Sequence, residues 1–94
     1  MQRDESVAMT ILKTILFLDA DGEGYYRKDF YSAVRELLEM TIGESELVNM
    51  VDYHLHLLET GGFVLCDREM EVGQGFDTFQ LTWRGHDYLE GKVN

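Results

Sequence analysis

The chain is poor in positive charge. Eight lysines and arginines stand against eighteen aspartates and glutamates in 94 residues, a formal net charge of −10. Such a surface repels phosphate backbones and anionic membranes and favours basic partners. Cysteine is scarcer still. Cys66 stands alone, so no internal disulfide can form, and a reducing cytoplasm is the expected setting. No apolar run approaches the roughly 20 residues that cross a bilayer. The charged start, MQRDES, is not followed by the apolar segment of a secretion signal. Internal repeats, low-complexity tracts and linkers are missing as well, which leaves residues 1–94 as a single domain with no room for a second core.

What is present is ordinary globular content, 45% hydrophobic and 12% aromatic, rather than the composition of disorder. From Asp4 to about Leu18, the residues Val7, Ile11, Leu12, Ile15 and Leu18 recur at helical spacing. Asp4, Glu5 and Ser6 suit its start, and Asp21-Gly22-Glu23-Gly24 ends it. Asp29 is a cap for a second helix over about 30–41, with Phe30, Val34, Leu37 and Leu38 on its inner side. A third helix runs from Glu44 or Ser45 to about Thr60, with Leu47, Val51, Leu55 and Leu58 inward, and Gly61-Gly62 stops it. The period then becomes strand-like. Phe63 to Val72 and Phe76 to Leu81, separated by Gly73-Gln74-Gly75, predict a β-hairpin. Thr82 caps a short last helix from Trp83 to about Leu89. The expected fold is α+β and mainly helical: a winged helix-turn-helix of three helices, a hairpin wing and a short C-terminal helix.

Two stretches carry a resemblance. Val51-Asp52-Tyr53-His54-Leu55-His56-Leu57-Leu58-Glu59-Thr60-Gly61-Gly62-Phe63 and Leu81-Thr82-Trp83-Arg84-Gly85-His86-Asp87-Tyr88-Leu89, with Gln2-Arg3-Asp4 at the start, resemble an uncharacterised bacterial and phage family, the domain of unknown function numbered 2513. The second stretch is the more specific. Residues 25 to 43 look longer and more helical than the family pattern. The resemblance implies a winged-helix-like fold and a bacterial, phage or prophage setting, and it implies no activity.

The stretch Asp19-Ala20-Asp21-Gly22-Glu23-Gly24 looks like the opening of a calcium-binding hand. Its first, third and fifth positions hold oxygen ligands, but the twelfth, which should be a bidentate glutamate, is Phe30. The loop therefore reads as a turn. His54 and His56, two apart on a helix, point to nearly opposite sides and cannot share one ion. His54 and His86 are expected to be packed and hydrogen-bonded at the edge of the core, and with one cysteine a closed zinc set is hard to assemble. Cys66 follows Phe63, Val64 and Leu65 in a strand and reads as a small buried hydrophobe. No activated nucleophile, phosphate-cradling glycine loop or catalytic carboxylate pair is present, so neither an enzyme nor a cofactor is expected. Trp83 and Tyr88 are expected to lock the last helix onto the core.

A helix-turn-helix offers the outer face of its second helix to the major groove. Here that face carries Glu46, Asn49, Tyr53 and His56, flanked by Asp52 and Glu59. Non-specific affinity for DNA comes mostly from Lys and Arg on phosphates, and this helix has neither. Residues 44 to 77 hold eight acids, Glu44, Glu46, Asp52, Glu59, Asp67, Glu69, Glu71 and Asp77, against Arg68 alone. Arg27, Lys28 and Arg35 cluster around the second helix, blunted by Asp29, Glu36 and Glu39. The candidate interaction face is therefore Glu44, Glu46, Asn49, Asp52, Tyr53, His56, Glu59, Asp67, Glu69 and Glu71. The expected partner is a basic protein, with a homodimer through helix one and its Phe17 also open. The alternative is a dimeric DNA-binding regulator reading bases through Asn49, Tyr53 and His56.

Overall fold

Asp4 sets the first helix. In the computed structural model, which describes residues 1–19 and 21–91, its carboxylate Oδ1 accepts from the Ser6 amide at 2.9 Å and the Ser6 hydroxyl at 2.6 Å. Helix α1 then runs over Glu5–Leu18, burying Val7, Ala8, Ile11, Leu12 and Ile15 along one stripe. The Asp4 amide donates to His54 Nε2 at 2.9 Å, while His54 Nδ1 lies 2.7 Å from the Met50 carbonyl oxygen. An accepting Nε2 requires the ring proton on Nδ1. The buried imidazole thus pegs the start of α1 to the third helix.

The cap carries a prediction. Asp4→Ala is expected to cost about 1 kcal/mol at neutral pH, measured by urea unfolding. The Ser6 hydroxyl and amide hold the Asp4 carboxyl below its ordinary 3.8. A lowered folded pKa means that the stabilisation is full above the unfolded pKa and is lost as pH falls through the folded one. The gap between wild type and variant should therefore narrow below about pH 4. A gap that ignores pH would remove the carboxylate from the explanation.

After the glycine-containing turn, Tyr25–Tyr26 form a two-residue strand, β1. Helix α2 follows at once, over Arg27–Leu37. The expectation of a helix over 30–41 capped by Asp29 is corrected at both ends. Tyr26 caps it through its backbone alone and Asp29 lies inside the first turn. At the other end Glu39 takes a left-handed φ of 51°, its amide reaching Glu36 O and the Met40 amide reaching Arg35 O. Phe30 and Val34 are buried as expected. Leu37 is not: the helix ends there, and its side chain stays 64% exposed.

Helix α3 spans Glu44–Thr60 and buries Leu47, Val51, Leu55 and Leu58 together with His54. Gly62, at φ 83°, turns the chain into strand β2, Val64–Asp67. Strand β3 is Thr78–Leu81. The hairpin is thus shorter than the predicted Phe63–Val72 and Phe76–Leu81, and residues 68–77 form a long connection with a 3-10 turn at Gln74–Phe76. Helix α4, Trp83–Leu89, begins at Thr82, whose hydroxyl accepts from the Gly85 amide at 3.0 Å.

The sheet is antiparallel in the order β1-β3-β2, with Tyr25 opposite Phe79 and Cys66 opposite Phe79 on the other side. Four helices and three strands make an α+β fold, with β1 the element absent from the sequence reading. Phe30 lies at the join of the layers, edge-on to Tyr25 at 4.9 Å and to Phe79 at 5.9 Å between ring centroids. Among the described residues no helix is long and apolar enough to cross a membrane.

Candidate functional site

The outer side of α3 presents part of what was expected there. Glu44, Glu46, Asn49 and His56 are exposed, and Asp52, Tyr53 and Glu59 are half-buried at its margins. Tyr53 stands edge-on to the His54 ring at 5.4 Å. His56 points away from His54, as their spacing demands. On the hairpin and its connection, Asp67 and Glu71 are exposed while Glu69 is half-buried.

Charge pairing rearranges this face. Asp52 accepts from Arg27 Nη1 at 3.1 Å and from the Tyr31 hydroxyl at 2.8 Å. Burial first, and then that bond to Asp52, push the Tyr31 phenol up to about 12. Glu59 takes both of its oxygens to Arg68 Nη2, at 2.8 and 3.1 Å. Glu44 pairs with Arg35 at 3.4 Å. Asp77 does not belong to the face at all: it is 2% exposed. Its Oδ2 accepts from Arg27 Nε and Nη2 at 3.3 and 3.0 Å, and its Oδ1 from the Glu69 amide at 2.8 Å.

This Arg27–Asp77–Asp52 cluster was not visible in the sequence. Arg27 read as one member of a basic patch, yet its guanidinium lies under the surface, 5.1 Å from the Phe79 ring centroid. It ties α2 to α3 and to the foot of the 68–77 connection. The patch itself is dispersed, since Lys28 stands over the Tyr26 and Phe76 rings, 5.5 Å from each, and Arg35 serves Glu44 and the Met40 carbonyl. After these pairings Glu46, Asp67, Glu69 and Glu71 have no basic partner within 4 Å among the described residues.

Apolar groups stand among the acids. Leu65, on the outward side of β2 beside Asp67, is exposed, as are Met70 and Val72 on either side of Glu71. Leu65 faces outward because the strand alternates, with Val64 buried and Leu65 exposed.

The other candidate groups are placed as follows. Both Asp19 oxygens accept from the Gly24 amide at 3.1 Å, and Asp21 accepts from the Glu23 amide at 3.1 Å, so the loop's carboxylates close its own turn. Ala20 lies outside the described residues. Among those described, no group of three or more His, Cys, Asp or Glu is arranged to hold a metal ion. Cys66 is half-buried rather than buried, with Arg68 Nη1 at 3.4 Å from its sulfur. Burial pushes its thiol up despite Arg68, which keeps it protonated and poorly nucleophilic at neutral pH.

Trp83 and His86 correct the reading of the last helix. Trp83 is 85% exposed and His86 is exposed too. The side of α4 that meets the sheet is Gly85, and residues two apart on a helix face opposite ways, so Trp83 points to solvent. Tyr88 does dock, edge-on to Phe63 at 5.1 Å and with its hydroxyl donating to Glu5. No known family, curated protein or solved structure matches the chain.

Proposed function

We propose that the chain is a non-enzymatic winged-helix module of bacterial or phage origin, acting in the cytoplasm by binding a basic protein. The order α1-β1-α2-α3-β2-β3 supports the fold reading, with α2 and α3 as the helix-turn-helix and residues 68–77 as the wing. The origin rests on the resemblance to family 2513. The contact face is the outer side of α3 with the wing: Glu46, Asp67, Glu69 and Glu71, interspersed with Leu65, Met70 and Val72.

One observation carries the choice of partner. Arg27, Arg35 and Arg68, the arginines around α3, are each held by a carboxylate of the same chain. None of these three guanidiniums is left over to neutralise phosphates, and Arg84, beyond the end of α3, stands over the Phe63 ring. Glu46, Asp67, Glu69 and Glu71, by contrast, have no basic partner among the described residues. Protein–DNA affinity rests on the reverse arrangement. A face that mixes apolar and acidic groups suits a protein with a basic surface, giving fast and salt-sensitive association. Towards a nucleic-acid-handling partner, such a face imitates the charge of DNA.

Asn49 and His56 are exposed on α3, which keeps base reading as the competing outcome of the test. The chain, immobilised, is expected to capture a basic protein from nuclease-treated host lysate and to release it with salt. Glu46→Lys combined with Glu71→Lys should abolish the capture, and duplex DNA should run unretarded at moderate salt. Retardation of duplex that disappears in Asn49→Ala would replace this proposal with the DNA-binding one.

A further inference from the structure

We infer that the chain pairs with a second copy of itself through α1, over the groove between α1 and α2. Beside its buried stripe, to which Thr14 belongs at 3% exposure, α1 carries another made of Thr10, Lys13 and Phe17 at three- and four-residue spacing, with Leu18 next to Phe17. Leu37 joins it from α2, because that helix stops where its last leucine meets α1 rather than the core. These residues line a groove of about 350 Å³. Phe17 is 75% exposed and Leu18 57%. Contiguous apolar surface of this kind marks an interaction site, whereas single exposed leucines do not.

Charge decides what covers it. Between Ser6 and Leu18 the one charged residue is Lys13, in a chain that carries eighteen acids. A basic partner, of the sort proposed for α3, meets no carboxylate here and meets an ammonium instead. An anionic surface finds a single cation within a chain of net charge −10. A symmetric pair is favoured by this lack of carboxylates, because a two-fold interface brings every charge on the patch against its own image, which leaves Lys13 as the one charge that must turn aside to water. Acids excluded from the patch leave two copies free to meet.

The patch is also complementary to itself. Two α1 helices crossing antiparallel about Lys13 and Thr14 place Phe17 of each copy over Thr10 of the other. The ring then enters the groove beside Leu37, a large knob set against a small residue. The Lys13 stem lies along the apolar surface with its ammonium turned out to water. This face is separate from the α3 and wing surface, so either reading can fail without the other.

Sedimentation velocity of the full chain over a concentration series tests the pairing. The mass is expected to shift from monomer to dimer. Phe17→Glu should weaken dimerisation about 30-fold or more, the loss of an aromatic anchor at an interface centre, and Leu37→Glu should weaken it as well. Both positions are exposed, so each variant should keep the wild-type helical circular dichroism and melting temperature. Added salt screens the repulsion between two acidic copies and should tighten the dimer, whereas it releases a basic partner from α3. A chain that stays monomeric at high-micromolar concentration overturns the inference. So does a dimer indifferent to both substitutions, or one dissolved by salt.

Discussion

Arg27→Met is expected to remove about 3–5 kcal/mol of folding stability, the cost of leaving a buried carboxylate without its partner. For a domain of this size that is a large share of the total, which for small proteins is about 5–15 kcal/mol. The methionine keeps most of the stem that lies over Phe79, so the loss reports the charge. Asp77 would retain the Glu69 amide on one oxygen and only a distant Arg68, at 3.8 Å, on the other. Asp52 would retain the Tyr31 hydroxyl and is less buried, so Asp77 is the group that suffers most. Combining Arg27→Met with Asp77→Asn removes both charges and leaves an amide oxygen able to accept from Glu69. The double variant should recover more than half of the loss, since replacing both members of a buried pair costs far less than orphaning one. Urea unfolding of wild type, both single variants and the double variant completes the cycle. If the two single losses simply add, the pair does not couple and the role assigned to Arg27 is wrong.

The same cluster shows where the sequence stopped being readable. Helices α1 and α3 were legible because their apolar residues repeat at helical spacing and their ends carry local signals, Asp4 at one and Gly61-Gly62 at another. Helix α4 was legible through Thr82. Helix α2 was placed late and long because neither of its ends has such a signal. Tyr26 caps it through backbone alone, and its exit uses Glu39 in a left-handed conformation where a glycine would have announced the turn. Strand β1 is two residues long and exists by pairing with Phe79 and Thr78, more than fifty positions away. No alternation fits in two residues. The candidate face followed the same rule. Which acids lie on α3 and in the 68–77 connection was plain from order and spacing. That Arg27 would reach across to Asp52 and Asp77 depended on how α2 packs, which no local pattern records. Trp83 failed for a simpler reason: burial preference names the usual fate of a tryptophan, while the side of the helix on which it sits decides the actual one.

Gly85 provides the sharpest separation of local propensity from packing, because the two predict opposite signs. Within a helix, alanine is preferred to glycine by about 1 kcal/mol, so Gly85→Ala on an isolated α4 would stabilise it. In the folded chain a Cβ at this position would come 2.3 Å from the Phe63 carbonyl oxygen and 3.1 Å from Leu81 Cδ2. The first distance is about 1 Å short of ordinary contact. The oxygen is poorly placed to yield, since it accepts from the Thr82 amide at 3.2 Å where β2 and the start of α4 meet. The helix must lift instead, loosening the Tyr88 contacts with Phe63 and Glu5. Overpacking against backbone costs about 1–3 kcal/mol, and a clash this close belongs at the top of that range, so packing outweighs propensity. Because α4 is held to α1 and to the end of β3, the damage should be local. Hydrogen exchange is expected to show amides of residues 83–90 losing protection by more than about tenfold, while those of α3 keep theirs. Gly85→Ala with unchanged protection and a melting temperature at or above wild type would mean that α4 does not rest on the Phe63 carbonyl.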